Sequence, residues 1–365
     1  MIHRKIALIL TVFIFVFFCF DSGIAISIDS SNKDSKDAKS QVRPQVAVES
    51  SFKTVEIKFD LPIISLSVGP HLRLGEDDLD KFRLGEKGYL MNLPSLYYTT
   101  DFDWDEKKWG CEPEVRAVIH PIRFRFGRTQ LWTGFSLGMG WNKYRTEGNY
   151  LVTYTHQNFW DETHEWKYSH DYQLNNTRIF LDTNVLLRKP FFCKCPGKPK
   201  FYGYLGLEYN RGKLIHSFKG DYDASFVNGA YYHYNERKTR EEEVKDTSLG
   251  IRYGLGTDFK ISRFLHLGLE LYGRNVKFDD WTGERTDGLT WDDNGLTGSS
   301  SGIEKGKLWF FRGIDPVHGL YPQLEVREDE PDFPYSDVRP AEIKLNRLGI
   351  RLNLNLRLQG LKLKF

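Results

Sequence analysis

The residues best suited to chemistry stand in three places. Between residues 143 and 177, His156, Asp161, Glu162, His164, Glu165, Ser169 and His170 share one segment. They offer imidazole, carboxylate and hydroxyl groups for acid–base or nucleophilic work. No HExxH or GxSxG spacing orders them, so they read as side chains of a wet loop, and no catalytic residue is assigned. Cys193-Lys194-Cys195 lies among Pro190, Pro196, Gly197 and Pro199. A structural zinc needs four ligands. The chain has 4 Cys, and one of them, Cys19, falls in a segment expected to be removed. Free thiols or a strained local bridge are therefore expected rather than a metal site. The third place is Asp279 to Pro340, with 14 acids against 6 bases. It holds a loose repeat, Asp287-Gly288-Leu289-Thr290 and Asn294-Gly295-Leu296-Thr297, flanked by Trp281 and Trp291. The oxygen spacing of a calcium-binding EF-hand is absent. A solvated acidic loop is expected, and neither metal nor cofactor is assigned.

These groups need elements to hold them, and the composition favours strands. Phe, Tyr and Trp number 26, 19 and 9, and Gly 32, while the best helix former, Ala, occurs 8 times. That is the chemistry of strands and turns. Charge is balanced, 51 Lys plus Arg against 49 Asp plus Glu, which argues against a strongly basic nucleic-acid binder. With 40% hydrophobic residues and a mean hydropathy of −0.49, a helical multi-span membrane protein is excluded.

The N-terminus carries Arg4 and Lys5, then an uncharged run from Ile6 to Phe20, then Gly23-Ile24-Ala25. These are the three parts of a secretory signal, with cleavage expected after Ala25. The run has 15 residues, short of the ~20 that span a bilayer as a helix. Residues 26–50, rich in Ser, Asp, Lys and Gln, cannot bury enough surface to offset the entropy of ordering, and form a disordered leader. The remaining residues, 51–365, make one domain.

Within that domain the recurrent signal is period two, which sends alternate side chains to opposite faces of a strand. Eight segments show it, beginning near residues 53, 122, 131, 178, 201, 248, 265 and 341. The plainest is Leu265, Leu267, Leu269 and Leu271 against His266, Gly268, Glu270 and Tyr272. Pro62 interrupts the phase of the first segment, where a bulge is expected. The connections alternate long and short: 73–112, 143–177, 218–245 and 279–340 are long, the others short. Segment 143–177 reads as an extended hairpin.

One face of these strands is apolar. The other is charged in every strand but the third. Glu56, Lys58, Asp60, Arg123, Arg125, Arg178, Asp182, Glu208, Arg252, Asp258, Glu270, Arg347 and Arg351 all share it. In a soluble sandwich these charges would be the solvated face. If the apolar face meets lipid instead, the sheet must close on itself, because an open edge leaves backbone groups unpaired in hydrocarbon. Eight strands enclose little more than their own side chains. The charges must then pair across a sealed interior. The fold class expected is an all-β, antiparallel, up-and-down transmembrane β-barrel of eight strands, or ten if residues 84–112 or 303–338 pair. Cys111 then lies across the ~25 Å apolar band from Cys193 and Cys195 and pairs with neither.

The final residues, Leu358-Gln359-Gly360-Leu361-Lys362-Leu363-Lys364-Phe365, resemble the C-terminal signal of bacterial outer-membrane barrel proteins. Gly360, Leu363 and Phe365 match it, and Leu358 departs from its polar slot. The apolar phase also slips at Gly360. The eight-strand plan is similar to that of small OmpA/OmpX-type barrels. The resemblance implies assembly by the barrel-assembly machinery into the outer membrane of a Gram-negative-type cell envelope, with outer-membrane lipid as a partner. The function expected is structural, or surface interaction with a protein or glycan through long outer loops. The alternatives are a narrow, porin-like channel, and a barrel enzyme modifying membrane lipid, for which His156, His164 and Ser169 are the residues to test. No nucleic-acid partner is expected.

Overall fold

The computed structural model describes residues 55–57, 63–74, 77–91, 97–104, 109–126, 129–157, 161–188, 199–227, 231–262, 264–315, 319–332 and 334–357. The chain divides into two compact units, residues 1–56 and 57–365. Of the first, only Val55 and Glu56 are described. The second holds strands β1 (Ile63–Val68), β2 (Glu114–Phe126), β3 (Thr129–Gln157), β4 (Asp161–Arg188), β5 (Lys200–Val227), β6 (Tyr231–Lys260), β7 (Leu265–Asn275), β8 (Thr282–Asp293), β9 (Leu296–Asp315), β10 (Gly319–Arg327) and β11 (Arg347–Arg357). One helix, α1 (Asp78–Met91), follows β1.

Strands β1 to β7 pair in sequence, each antiparallel to the next, and β11 closes the circuit by pairing with both β7 and β1. The result is a ring of eight strands. From β2 to β7 sequence neighbours form it through short connections, while a long one joins β1 to β2. Between β6 and β7 the amides of Ile261 and Ser262 both donate to the Leu265 carbonyl, and the Ser262 hydroxyl accepts from the Phe264 and Leu265 amides. β2 begins earlier than its alternation suggests, because a register shift between Ile119 and Ile122 resets the phase at Pro121, which has no N–H to donate.

The long connections are folded. β3 to β6 run for 28 to 30 residues each, at ~3.3 Å per residue far more than a bilayer needs. Their outer halves leave the ring as an open sheet. β6 divides the two: Ile251–Lys260 pairs with β7 of the ring, and Tyr234–Lys245 with β8 of the extension. β8, β9 and β10 then widen the extension by successive antiparallel pairing. This corrects the expectation of a solvated loop over 279–340. Asp287–Thr290 lies in β8, whereas Asn294 and Gly295, with φ of 48° and 91°, turn the chain into β9. Both central residues of a type I′ hairpin need positive φ, which Asn and Gly tolerate. Segment 73–112 likewise contains α1 and two strands, Tyr97–Trp104 and Trp109–Cys111.

An apolar core sits where ring meets extension. Leu174, Leu214, Val244, Phe278, Trp281, Leu308, Phe310 and Val326 cluster there with Leu79 and Phe82 of α1. The first turn of the helix is fixed by Asp78, whose carboxylate accepts both Arg339 guanidinium nitrogens and the Glu342 amide, and by Asp77, which accepts from the Lys344 amide. Acids at a helix start also complement its dipole.

Candidate functional site

Two features of the ring carry functional information, its outer surface and its interior. Outward side chains are large, apolar and exposed: Phe135, Leu137 and Met139 on β3, Ile179 and Leu181 on β4, Leu205 on β5, Ile251 and Leu255 on β6, Leu267, Leu269 and Leu271 on β7, Ile350 and Leu352 on β11. Leu255 is 69% exposed and Leu137 59%. Monomeric soluble proteins rarely leave so continuous an apolar surface uncovered. Among the described residues no helix is long and apolar enough to cross a membrane, which says nothing of strands.

The interior is an ion-paired network organised by two carboxylates, Glu112 and Glu114. Glu114 accepts from Arg178 at 3.1 Å, from Arg252 at 2.7 Å and from Arg351 at 2.7 Å. Glu112 accepts from Arg274 at 2.9 Å and from Arg347. Arg274 also donates to Glu208 at 2.8 Å, Arg252 pairs with Asp182 at 3.1 Å, and Arg116 with Glu270 at 2.6 Å. Tyr202 and Tyr204 donate their hydroxyls to Glu270, and Asn355 donates to Asp258 at 2.6 Å. Arg252 lies over the Phe180 ring and Arg351 over Tyr272, both within cation–π range. Glycine makes space: a Cβ on Gly140 would meet the Arg178 guanidinium at 2.6 Å. Buried charges are tolerated only when so paired.

Of the charges assigned from sequence, Arg178, Asp182, Glu208, Arg252, Asp258, Glu270, Arg347 and Arg351 are buried in this interior. Arg123 and Arg125 belong to β2 and Glu56 to the strand Val55–Ile57, but their side chains lie outside the described residues, as do Lys58, Asp60, Gly360, Leu363 and Phe365 entirely. Sequence reasoning missed Glu112, Glu114, Arg116 and Arg274. The signal was present: Glu114, Arg116 and His120 alternate with Val115, Ala117 and Ile119 just before Pro121.

The reactive-looking residues of β4 are not brought together. Successive side chains on a strand take opposite faces, so Ser169 is on the face away from His164 and His170. His164 Nδ1 meets the Tyr222 hydroxyl at 2.7 Å, and its ring stacks on Trp166. His170 is buried, with Nδ1 3.3 Å from His216 Nε2, and His216 Nδ1 lies 2.7 Å from Glu242. Burial first, then His216 and the Arg240 cation, hold the His170 imidazole well below its ordinary pKa. The side chains of His156 and Asp161 and all of Cys193-Lys194-Cys195 lie outside the described residues.

No family model matches the chain, and no curated protein does. Among solved structures it is similar to a major outer membrane protein from Thermus thermophilus, at 12% identity and a TM-score of 0.27, over 80% of this chain and 99% of that one. A likeness this distant decides nothing about the present chain.

Proposed function

We propose that the ring is a sealed, eight-stranded transmembrane β-barrel of an outer membrane, and that the extension built on it is a surface for interaction with a protein or glycan. One observation carries this reading. Around the ring the exposed face is Leu, Ile and aromatic, while the enclosed face is polar, with ionised side chains on β2, β4, β5, β6, β7 and β11, the reverse of a soluble protein, and lipid is the solvent that suits it. A closed ring also leaves no unpaired edge in hydrocarbon. Residues 1–25 serve as the signal removed on export and 26–50 as a leader. Gly360, Leu363 and Phe365 are read by the barrel-assembly machinery, and lipid is the constant partner. Membrane fractionation with a heat-modifiability gel tests the proposal. Recovery in the outer-membrane fraction, with a band that shifts on boiling, is expected; a detergent-free soluble chain would overturn it.

The rival readings forecast differently. A narrow channel needs conductance in planar bilayers, and the ion-paired interior opposes it. A lipid-modifying enzyme needs altered lipid profiles when His156, His164 and Ser169 are all replaced by Ala. Unchanged profiles are expected, because Ser169 and His164 occupy opposite faces of one strand.

A further inference from the structure

The outer half of β9 is an open edge. β8 pairs with β9 from Lys307 to Leu296, whereas β10 covers its other side only from Lys307 to Asp315. Among the described residues nothing pairs with the second side of Leu296–Gly306. The two-residue turn at Asn294-Gly295 makes Asp293 and Leu296 the closing hydrogen-bonded pair. Backbone groups of Leu296, Gly298, Ser300 and Gly302 therefore face β8. Those of Thr297, Ser299, Ser301 and Ile303 face outward.

Natural edges are guarded by charge, proline or a bulge. From Thr297 to Ile303 there is none of these. The arm also stands clear of the apolar core, since Leu296 and Ile303 are each 71% exposed although they lie on opposite faces. The tract has one further property: it reads the same in both directions about Ser300. Gly298 mirrors Gly302, Ser299 mirrors Ser301, and β-branched Thr297 and Ile303 stand at the ends. A two-fold interface requires such self-complementarity.

We propose that this edge binds the same edge of a second copy of the chain, antiparallel and centred on Ser300. Each Thr297 then faces an Ile303, each Ser299 a Ser301, and the outward groups form about eight backbone hydrogen bonds. No charge opposes another, and the small side chains do not collide. β9 lies one strand away from β6, which continues into the ring wall, so the two-fold rotation sets the rings at opposite ends of the joined arms. Taken with the membrane reading above, the pair joins two facing membranes rather than neighbours in one.

The full-length protein in detergent tests the pairing without that reading. Light scattering after size exclusion is expected to show a concentration-dependent dimer. Ser300→Cys is expected to form a disulfide-linked dimer beyond the unmodified background, because a residue opposite itself in a non-hydrogen-bonded pair has Cα atoms about 4.5 Å apart. Thr297→Cys, opposite Ile303 and remote from its own copy, is expected to give none. Ser301→Pro removes an outward donor without touching the β8 pairing, so it is expected to abolish the dimer while the heat-modifiable band persists. A monomer at all concentrations, equal cross-linking at both positions, or a chain that stays monomeric while binding a foreign uncharged extended peptide would each overturn the proposal. Proteoliposomes carrying the protein are expected to cluster, and Ser301→Pro vesicles to stay dispersed. A detergent dimer with no vesicle clustering would uphold the edge pairing and count against the membrane reading alone.

Discussion

β5 passes through two environments with one alternation. In its ring half, Leu205 and Tyr209 are exposed while Tyr204, Glu208 and Asn210 are buried. In its outer half, Lys219 is exposed and Leu214 and Ala224 are buried. β6 repeats the inversion: Arg252 and Asp258 are enclosed within the ring, and Val244 is enclosed beyond it. The period is the same in both halves; what changes is which face is oily. Alternation therefore shows that a sheet has two faces, and on the membrane reading proposed above the point where polarity inverts marks where the surrounding solvent changes. That point lies near Gly212 on β5 and Asp246 on β6, just above the last exposed apolar residues of the ring.

The comparison breaks most readily at Glu114. Removing its carboxylate with Glu114→Ala leaves Arg178, Arg252 and Arg351 enclosed without their shared partner, a loss expected to cost about 3–5 kcal/mol. In the extension, Glu243 bridges Lys213 and Lys245 in a chain of half-exposed groups, and Glu243→Ala is expected to cost no more than about 1 kcal/mol. Urea midpoints followed on the heat-modifiable band measure both. Equal costs would mean that the ring interior is wet.

A second pair of substitutions exchanges the faces. Leu267→Arg on the outside of β7 is expected to cost about 2–4 kcal/mol if that surface meets hydrocarbon. Leu214 faces inward in the outer half of β5 and is fully buried; Leu214→Ala is expected to cost about 2–5 kcal/mol through lost packing and a cavity. Detergent identity separates them. Shortening the detergent chain is expected to change the cost at Leu267 and leave that at Leu214 alone.

Much of the ring was legible because its determinants are local. Most of its strands declare themselves by side-chain period, and the turn at Lys260-Ile261-Ser262 by its length; the first segment's alternation was read over residues 55–61, whereas the ring strand is Ile63–Val68. Of the two carboxylates that organise the interior, Glu114 sat in a short alternating run that went unread, and Glu112 carried no such signal. Glu112 stands in a segment whose pattern is broken by Pro113, and Pro121 divides β2 into two short alternating runs, of which only the second was read as a strand. The extension was read only in its first hairpin, 143–177, and the rest escaped for a different reason. Its strands set Lys, Glu and Thr outward against an inward face where His, Tyr and Gly are mixed with a few residues such as Leu214 and Val244, so the contrast is weaker than in the ring. Their pairing is fixed by β6 and by an apolar core gathered from α1, β4, β5, β9 and β10, none of which a local window contains. The quasi-repeat in residues 287–297 did contain the decisive signal, Asn-Gly, whose meaning as a hairpin turn depends on the strands beside it.

The smallest expected effect concerns the buried histidines that separate the two regions' chemistry. His170 packs edge-on against Phe82 of α1 and stacks on His216, which Glu242 holds from the other side while accepting the Val326 amide. Because burial keeps the His170 imidazole neutral in the folded protein, its folded pKa is depressed and the unfolded chain takes up a proton first as pH falls. The stabilisation is complete above the unfolded value near ~6.5 and is lost progressively below it, by at most about 1.4 kcal/mol per pH unit for one proton. The docking of α1 is expected to loosen over that window, read as faster amide exchange in residues 78–85, while the amides of β7 and β11, in the part of the ring away from α1, stay protected. His170→Phe, which keeps the aromatic contacts and removes the titrating group, is expected to flatten the pH dependence in the helix. Loosening that persists in this variant would show that His170 is not its source.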